Sequence, residues 1–162
     1  MRKDVYVIMK ILSYDVELSV SIGKQNLHLA KDYFNSGISA CEIVMPSYFR
    51  EPRDREKIIP FILEAREKVL EAGLRIHSVH LPYGIHWDIS EIDEEERKAI
   101  VADYIWCIEQ VKEWRAKYMI LHPSAEPISS EQREKKLQTC ERSIEDIAEQ
   151  AQIMGVQVLI EN

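Results

Sequence analysis

Three polar side chains, His80, His122 and Glu161, each stand where a hydrophobic, β-forming run of the sequence ends. Two imidazoles and a carboxylate, without thiolates, suit a divalent ion such as Mn²⁺, Zn²⁺ or Mg²⁺. A metal ion of this kind polarises a carbonyl or hydroxyl group, and a nearby carboxylate then moves a proton. The residue types therefore predict a metal-assisted site. The competing interpretation is that these are three unrelated polar strand termini.

The alternation of side chains along a strand predicts which residues share the face of the site. If His80 points toward the axis of a barrel, Ile76 and Ser78 point with it and His77 points toward the helix layer. The same count groups the neighbouring strand ends: His122 with Ile120 and Tyr118, and Glu161 with Leu159 and Gln157. Adjacent strands lie roughly 5 Å apart, so consecutive strand ends can converge on one ligand or metal ion.

Other candidate residues are open to two interpretations. His86 and Trp87 either line a substrate pocket or pack a loop, because an aromatic next to an imidazole serves both purposes. Glu42, near the end of another β-rich run, either reaches the site or caps a neighbouring helix. His28 and His77 are predicted to be structural or surface residues.

Five β-rich runs alternate with four helical patterns. The predicted strands are 16–22, 38–45, 74–81, 118–122 and 156–161, and Val5–Leu12 is predicted to be an extra strand. The helical patterns cover about 27–36, 53–72, 93–114 and 129–154. Asp93 with Glu96, and Ser129 with Gln132, have the spacing of helix-capping boxes. Glycines follow three of the helices, at 37, 73 and 155.

This strict alternation predicts an α/β fold with a parallel sheet and helices outside it. A doubly wound open sheet and a (β/α) barrel both satisfy the pattern. No GxGxxG or P-loop motif follows a strand, so the usual sequence evidence for a nucleotide-binding sheet is missing. With no linker or low-complexity segment, residues 1–162 are predicted to be one domain.

Composition predicts a cytoplasmic protein with no nucleic-acid or membrane partner. The net charge of −7 disfavours binding to phosphate backbones. Cys41, Cys107 and Cys140 are odd in number and far apart, which is typical of buried reduced thiols and not of a disulfide framework. The apolar N-terminal run is interrupted by Lys10, is too short to span a membrane and lacks a signal-peptide cleavage pattern.

Three segments, SVHLPYG with the following WDIS, MILHPSAEPIS, and VLIEN, resemble the xylose isomerase-like TIM-barrel superfamily. Within it, they are most similar to proteins called sugar phosphate isomerase/epimerase. The resemblance runs from about Leu18 to Asn162 and implies a (β/α) barrel with its site at the carboxyl ends of the strands.

The resemblance also implies roles for individual residues. Glu161 matches a strand-five glutamate that binds a divalent metal and, in epimerases, transfers protons as the catalytic base. His80 and His122 match histidines that bind zinc in related apurinic endonucleases and lie in the substrate pocket of sugar epimerases. Trp87, preceded by His86, falls in the loop that lines the sugar site. The implied function is a metal-dependent sugar or sugar-phosphate isomerase or epimerase of carbohydrate metabolism.

The chain departs from the family in its length. A full barrel takes roughly 250 residues, whereas 162 residues supply about four βα units and a fifth strand. The expectation is therefore the N-terminal part of a TIM barrel, without the later metal ligands and with open edges through which it forms a homo-oligomer. Two alternative functions stay open: an apurinic endonuclease-like zinc phosphodiesterase, disfavoured by the net charge, and an inactive barrel fragment that needs a partner.

Overall fold

The computed structural model describes residues 17–47, 55–125 and 127–161. Within these ranges, five strands form one sheet: β1 (Ser19–Ile22), β2 (Ala40–Val44), β3 (Arg75–His80), β4 (Tyr118–Leu121) and β5 (Gln157–Ile160). The five strands of the predicted main sheet are confirmed, with shorter bounds than the β-rich runs. The predicted extra strand Val5–Leu12 lies outside the described residues, as does Val16.

Every neighbouring pair of strands is parallel, and the spatial order follows the sequence from β1 to β5. A doubly wound sheet reverses its strand order at a switch point. Here each new strand is added on the same side of the sheet, which is the order found in the wall of a (β/α) barrel. The predicted fold class is therefore confirmed, and the described part of the chain is a partial TIM barrel.

The described ranges contain four α-helices: α1 (Ala30–Asn35), α2 (Arg55–Ala72), α3 (Glu94–Val111) and α4 (Ser130–Ile153). The carboxylate of Asp93 accepts the N–H groups of Glu95 and Glu96, so α3 begins where its cap predicts. Ser129 precedes α4 as predicted, but its hydroxyl lies 3.5 Å from the side chain of Gln132 and caps no backbone N–H. None of the helices in the described ranges is long and apolar enough to cross a membrane.

The two faces of the sheet differ in burial. Toward the helices, the strands contribute side chains that are fully buried in the hydrophobic core: Ile22, Ile43, Val79, Met119 and Leu121. Burying a side chain of this size contributes roughly 1.5–3 kcal/mol. On the opposite face, Leu159 stays 36% exposed and Ile120 is half-buried. We call this second face the open face, and it is the face on which the candidate site lies.

Candidate metal centre and substrate site

His80 is the last residue of β3, and His122 and Glu161 directly follow β4 and β5. The backbone ladder extends to this level, since Glu161 N–H donates to Leu121 O at 3.0 Å. His80 Nε2 lies 3.1 Å from His122 Nε2 and 3.3 Å from Glu161 Oε2. The remaining distance, from His122 Nε2 to Glu161 Oε2, is 3.7 Å. The structure thus brings together the three side chains that the strand ends indicated, and we call them the strand-end triad.

The donor set of the triad fits a divalent metal ion. Among the described residues, these three form the one group of histidine, cysteine or carboxylate side chains whose ligand atoms lie close enough for such an ion. A point equidistant from the three atoms lies about 2.0 Å from each, which falls within the range of zinc bonds to nitrogen and oxygen. These separations are compatible with one divalent ion bound to all three atoms.

The tautomer of His80 follows from its other ring nitrogen. Nδ1 lies 2.8 Å from the carbonyl oxygen of Leu81, which can only accept a hydrogen bond, so Nδ1 carries the proton. When only Nδ1 is protonated, the ring presents the lone pair of Nε2 to the triad. A backbone carbonyl that fixes a histidine in this way is a common support for a metal ligand.

The triad is open to solvent on the side of Glu161. The exposed fractions of the side chains are 9% for His80, 30% for His122 and 57% for Glu161. A ligand can therefore approach the carboxylate and His122, while His80 forms the buried base of the triad.

Tyr83 is a site residue that the sequence reasoning missed. Its ring stacks on His122, with centroids 4.8 Å apart and an interplanar angle of 24°. It also meets His80 edge to face, at 5.1 Å and 62°. The one signal in the sequence was the position of Tyr83, in a Pro-Tyr-Gly turn that directly follows His80 and Leu81.

His86 and Trp87 lie on a short 3₁₀ helix, Ile85–Trp87, beyond this turn. His86 is exposed, whereas Trp87 is 4% exposed and packs edge to face on Tyr104. Of the two interpretations of Trp87, the structure shows the one in which its ring packs the loop. Its indole N–H is the one buried side-chain polar atom among the described residues that has no hydrogen-bond partner.

The prediction that His77 faces the helix layer is wrong. Its ring packs edge to face on Tyr118 at 5.5 Å, and it lines a depression on the open face together with Ser78. The cause is an irregularity in the pairing of β2 with β3: Cys41 pairs with Ile76, but the next residue of β2 pairs with Ser78. A β-bulge of this kind breaks the alternation of faces. Ile76 accordingly lies in the core, not on the face of Ser78 and His80.

The two other residues of uncertain role are placed as follows. His28 is exposed, in agreement with a surface role. The carboxylate of Glu42 accepts hydrogen bonds from Ser21 at 3.3 Å and from Ser78 at 2.9 Å, so it links β1, β2 and β3 on the open face. Glu42 therefore neither joins the triad nor caps a helix.

Buried contacts from α3 hold the turn that carries Tyr83. The hydroxyl of Tyr104 lies 2.7 Å from Pro82 O and 2.9 Å from Trp87 O, so it bridges the two ends of the turn. On the other side, Tyr83 N–H donates to Ser47 Oγ at 3.0 Å. Gly84 has a φ of 108°, a value that side chains other than glycine rarely adopt.

A second contact, from α4, holds the segment after Trp87. Lys136 Nζ donates to Asp88 Oδ2 at 2.7 Å, and the other carboxylate oxygen accepts from the hydroxyl and N–H of Ser90. Burial opposes ionisation of Asp88, but the hydrogen bonds from Lys136 and Ser90 outweigh it and lower the pKa of the carboxyl. Asp88 is therefore a paired, buried carboxylate.

The three cysteines are buried and unpaired, as the sequence predicts for reduced thiols. Burial raises the pKa of Cys41 to about 12 and that of Cys140 to about 11, and it raises the pKa of Cys107 further. Thiols in this state are poor nucleophiles and poor metal ligands at neutral pH. The triad, and not the cysteines, therefore supplies the candidate metal ligands of the described site.

Comparison with known proteins agrees with this architecture. The model of a protein family described as xylose isomerase-like TIM barrel matches residues 29–162. No curated protein matches the chain in sequence.

Solved structures also resemble the chain. A D-tagatose 3-epimerase-like protein is 19% identical with a TM-score of 0.65, over 90% of this chain and 53% of that one. The D-psicose 3-epimerase of Clostridium cellulolyticum H10, solved with D-tagatose, is 14% identical with a TM-score of 0.64, over 87% and 51%. Mannonate dehydratase from Streptococcus suis serotype 2 is 15% identical with a TM-score of 0.62, over 91% and 53%. At these identities the likeness shows the fold alone, and the chain spans about half the length of these proteins.

Proposed function

Because the chain belongs to the xylose isomerase-like TIM barrel family, we propose that its triad binds a divalent metal ion and serves a sugar isomerase or epimerase. The observation that carries the proposal is the convergence of His80 Nε2, His122 Nε2 and Glu161 Oε2 within 3.7 Å of one another. A divalent ion bound there supplies polarisation of a carbonyl or hydroxyl oxygen of the substrate.

The residues of the chain take distinct roles in this proposal. Glu161 has the most exposed side chain of the triad and is its one carboxylate, so it both ligates the metal and moves a proton at the carbon next to the carbonyl. His80, with its tautomer set by Leu81 O, is a buried ligand with a fixed orientation. His122 is partly exposed and can also orient a hydroxyl group of the substrate.

The proposed substrate is a small sugar or sugar phosphate with a carbonyl group. This is supported by the similar folds of a D-tagatose 3-epimerase-like protein and of a D-psicose 3-epimerase solved with D-tagatose. The acidic composition favours such a substrate over nucleic acid. Manganese, zinc and magnesium all suit a site of imidazole and carboxylate ligands.

We further propose that residues 1–162 act as the first part of a single barrel domain. In the described sheet, β1 and β5 are the outermost strands, and Leu159 and Ile160 of β5 are 36% and 45% exposed. Further barrel units would cover these side chains and the open face, and would add ligands to the triad. Turnover is accordingly expected of a completed barrel.

Metal binding tests the site directly. We expect Glu161→Gln to weaken Mn²⁺ binding by the 162-residue chain at least tenfold, about 1.4 kcal/mol, because it removes the one anionic ligand. Glu149→Gln makes the same chemical change at an exposed position of α4 and should leave the affinity unchanged. Calorimetric titration measures both. Equal affinities for the two variants would contradict the metal site.

Proton transfer tests the activity. A complete barrel that carries this chain as its first part should incorporate solvent deuterium next to the carbonyl of D-tagatose or D-fructose when Mn²⁺ is bound. Proton NMR in D₂O follows the exchange. A folded, metal-loaded barrel that exchanges no hydrogen with either sugar, phosphorylated or not, would contradict the proposed function for these substrates.

A further inference from the structure

The ring of Tyr83 is held at the mouth of the triad by a rigid backbone. Its N–H is bonded to Ser47, the preceding carbonyl to Tyr104, and the following residue is Gly84 in a conformation that suits glycine. The side chain itself is 44% exposed. An aromatic side chain held in place in this manner loses little conformational entropy when it binds a ligand.

Part of the Tyr83 ring is already covered by the two histidines of the triad. It stacks on His122 and packs edge to face with His80, so it borders both imidazoles whose Nε2 atoms converge with Glu161. The exposed part of the Tyr83 ring therefore lies beside the two imidazoles, where a molecule bound at the triad can contact it.

Trp87, which the family resemblance assigned to the loop lining the sugar site, is less available to a ligand. Trp87 is 4% exposed because it packs on Tyr104, so little of the indole surface can touch a ligand. Tyr83 offers an exposed aromatic surface in contact with the triad itself.

We infer that Tyr83 is a substrate-binding residue, an aromatic wall against which the carbon-bound hydrogens of a sugar pack while its oxygens face the triad. A sugar has apolar patches of C–H groups, and an aromatic ring buries such patches without competing for the hydroxyl groups. The inference rests on the proposed function, since it presumes that a sugar binds at the triad. It adds an uncharged, apolar contact beside the polar groups of the triad.

The test is saturation-transfer NMR titration of D-tagatose and D-fructose on a complete barrel that carries this chain as its first part, with Zn²⁺ present. We expect Tyr83→Ala to raise the Kd about tenfold, equivalent to about 1.4 kcal/mol. Tyr83→Phe keeps the ring and should stay within about twofold of the original Kd. Phe34→Ala removes a ring of similar exposure, 40%, from α1 and should have no effect.

A calorimetric Zn²⁺ titration of the same variants distinguishes two roles of Tyr83. In one, the ring contacts the sugar directly; in the other, it only supports the metal ligand His122. If Tyr83→Ala weakens zinc binding as much as sugar binding, Tyr83 acts only through the metal ligands and the inference is overturned. Unchanged sugar binding by Tyr83→Ala overturns the inference and leaves the proposed function standing. If the complete barrel with the unaltered sequence binds neither sugar, both the inference and the proposed function fail.

Discussion

The contact between Lys136 and Asp88 should be among the most sensitive points of the fold that surrounds the site. Lys136→Met keeps the aliphatic stem but removes the ammonium group 2.7 Å from Asp88 Oδ2. The two side chains are 15% and 8% exposed, so solvent screens the pair only weakly. Breaking a buried pair costs about 3–5 kcal/mol. Because Asp88 keeps its two bonds from Ser90, we expect a smaller loss of about 2–3 kcal/mol in the free energy of unfolding.

The loss should depend on pH in a defined direction. The pKa of Asp88 is lowered in the folded chain, so its ion pair adds stability above the pKa of the unfolded state and loses it as the pH falls through the folded pKa. Without Lys136, burial should raise the pKa of Asp88. The difference between the two proteins should therefore be largest near pH 7 and should shrink toward pH 4.

Urea unfolding followed by circular dichroism, at matched protein concentration and at several pH values, measures this difference. Lys135→Met is the matched control, since it removes the same group from an exposed neighbour on α4, and should change stability by no more than about 0.5 kcal/mol. If Lys136→Met costs no more than this control, or if its cost is independent of pH, the interpretation of Asp88 as a buried, ionised partner is refuted.

Three further predictions concern function and assembly. In a complete barrel that carries this chain, Glu161→Gln should lower turnover about 10²–10⁴-fold. His77→Gln should leave turnover nearly unchanged, because His77 contacts Tyr118 and not the triad. Equal losses of turnover in the two variants would contradict these roles. The isolated chain should be oligomeric or poorly soluble because apolar residues of β5 such as Ile160 are exposed. It should also bind Mn²⁺ or Zn²⁺ weakly, because the three ligands of the triad leave a divalent ion under-coordinated; a monomer by light scattering with tight metal binding by calorimetry would argue against this. With Zn²⁺, the chain should not nick DNA that contains an abasic site, given its net charge of −7; zinc-dependent nicking would favour the endonuclease alternative.

Much of the fold was predictable because its signals are local. Alternating β-rich and helical runs, with Asp93 as a cap and Gly73 as a helix terminator, depend on residues a few positions apart. The buried cysteines followed from their number and spacing. These local signals left the strand order open between a doubly wound sheet and a barrel, and the structure shows the sequential order of a barrel wall.

The errors arose where a local rule was broken by a contact between distant segments. The assumption that side chains alternate regularly along the strand placed His77 and Ile76 on the wrong faces. The pairing of β3 with β2 contains a bulge, and the sequence of β3 gives no sign of it. For Trp87 the sequence left two arrangements open, and packing on Tyr104 of α3 selected burial. Tyr83 was missed because its role depends on two imidazoles that lie on different strands.

The sequence by itself determined that His80, His122 and Glu161 stand at strand ends, because hydrophobic periodicity and strand termination are properties of short segments. Only the tertiary structure decided that their ligand atoms lie within 3.7 Å of one another. That distance depends on the register of three strands and on the direction of each side chain. Both are set by hydrogen bonds and packing between residues far apart in the chain, such as the bond from Glu161 N to Leu121 O.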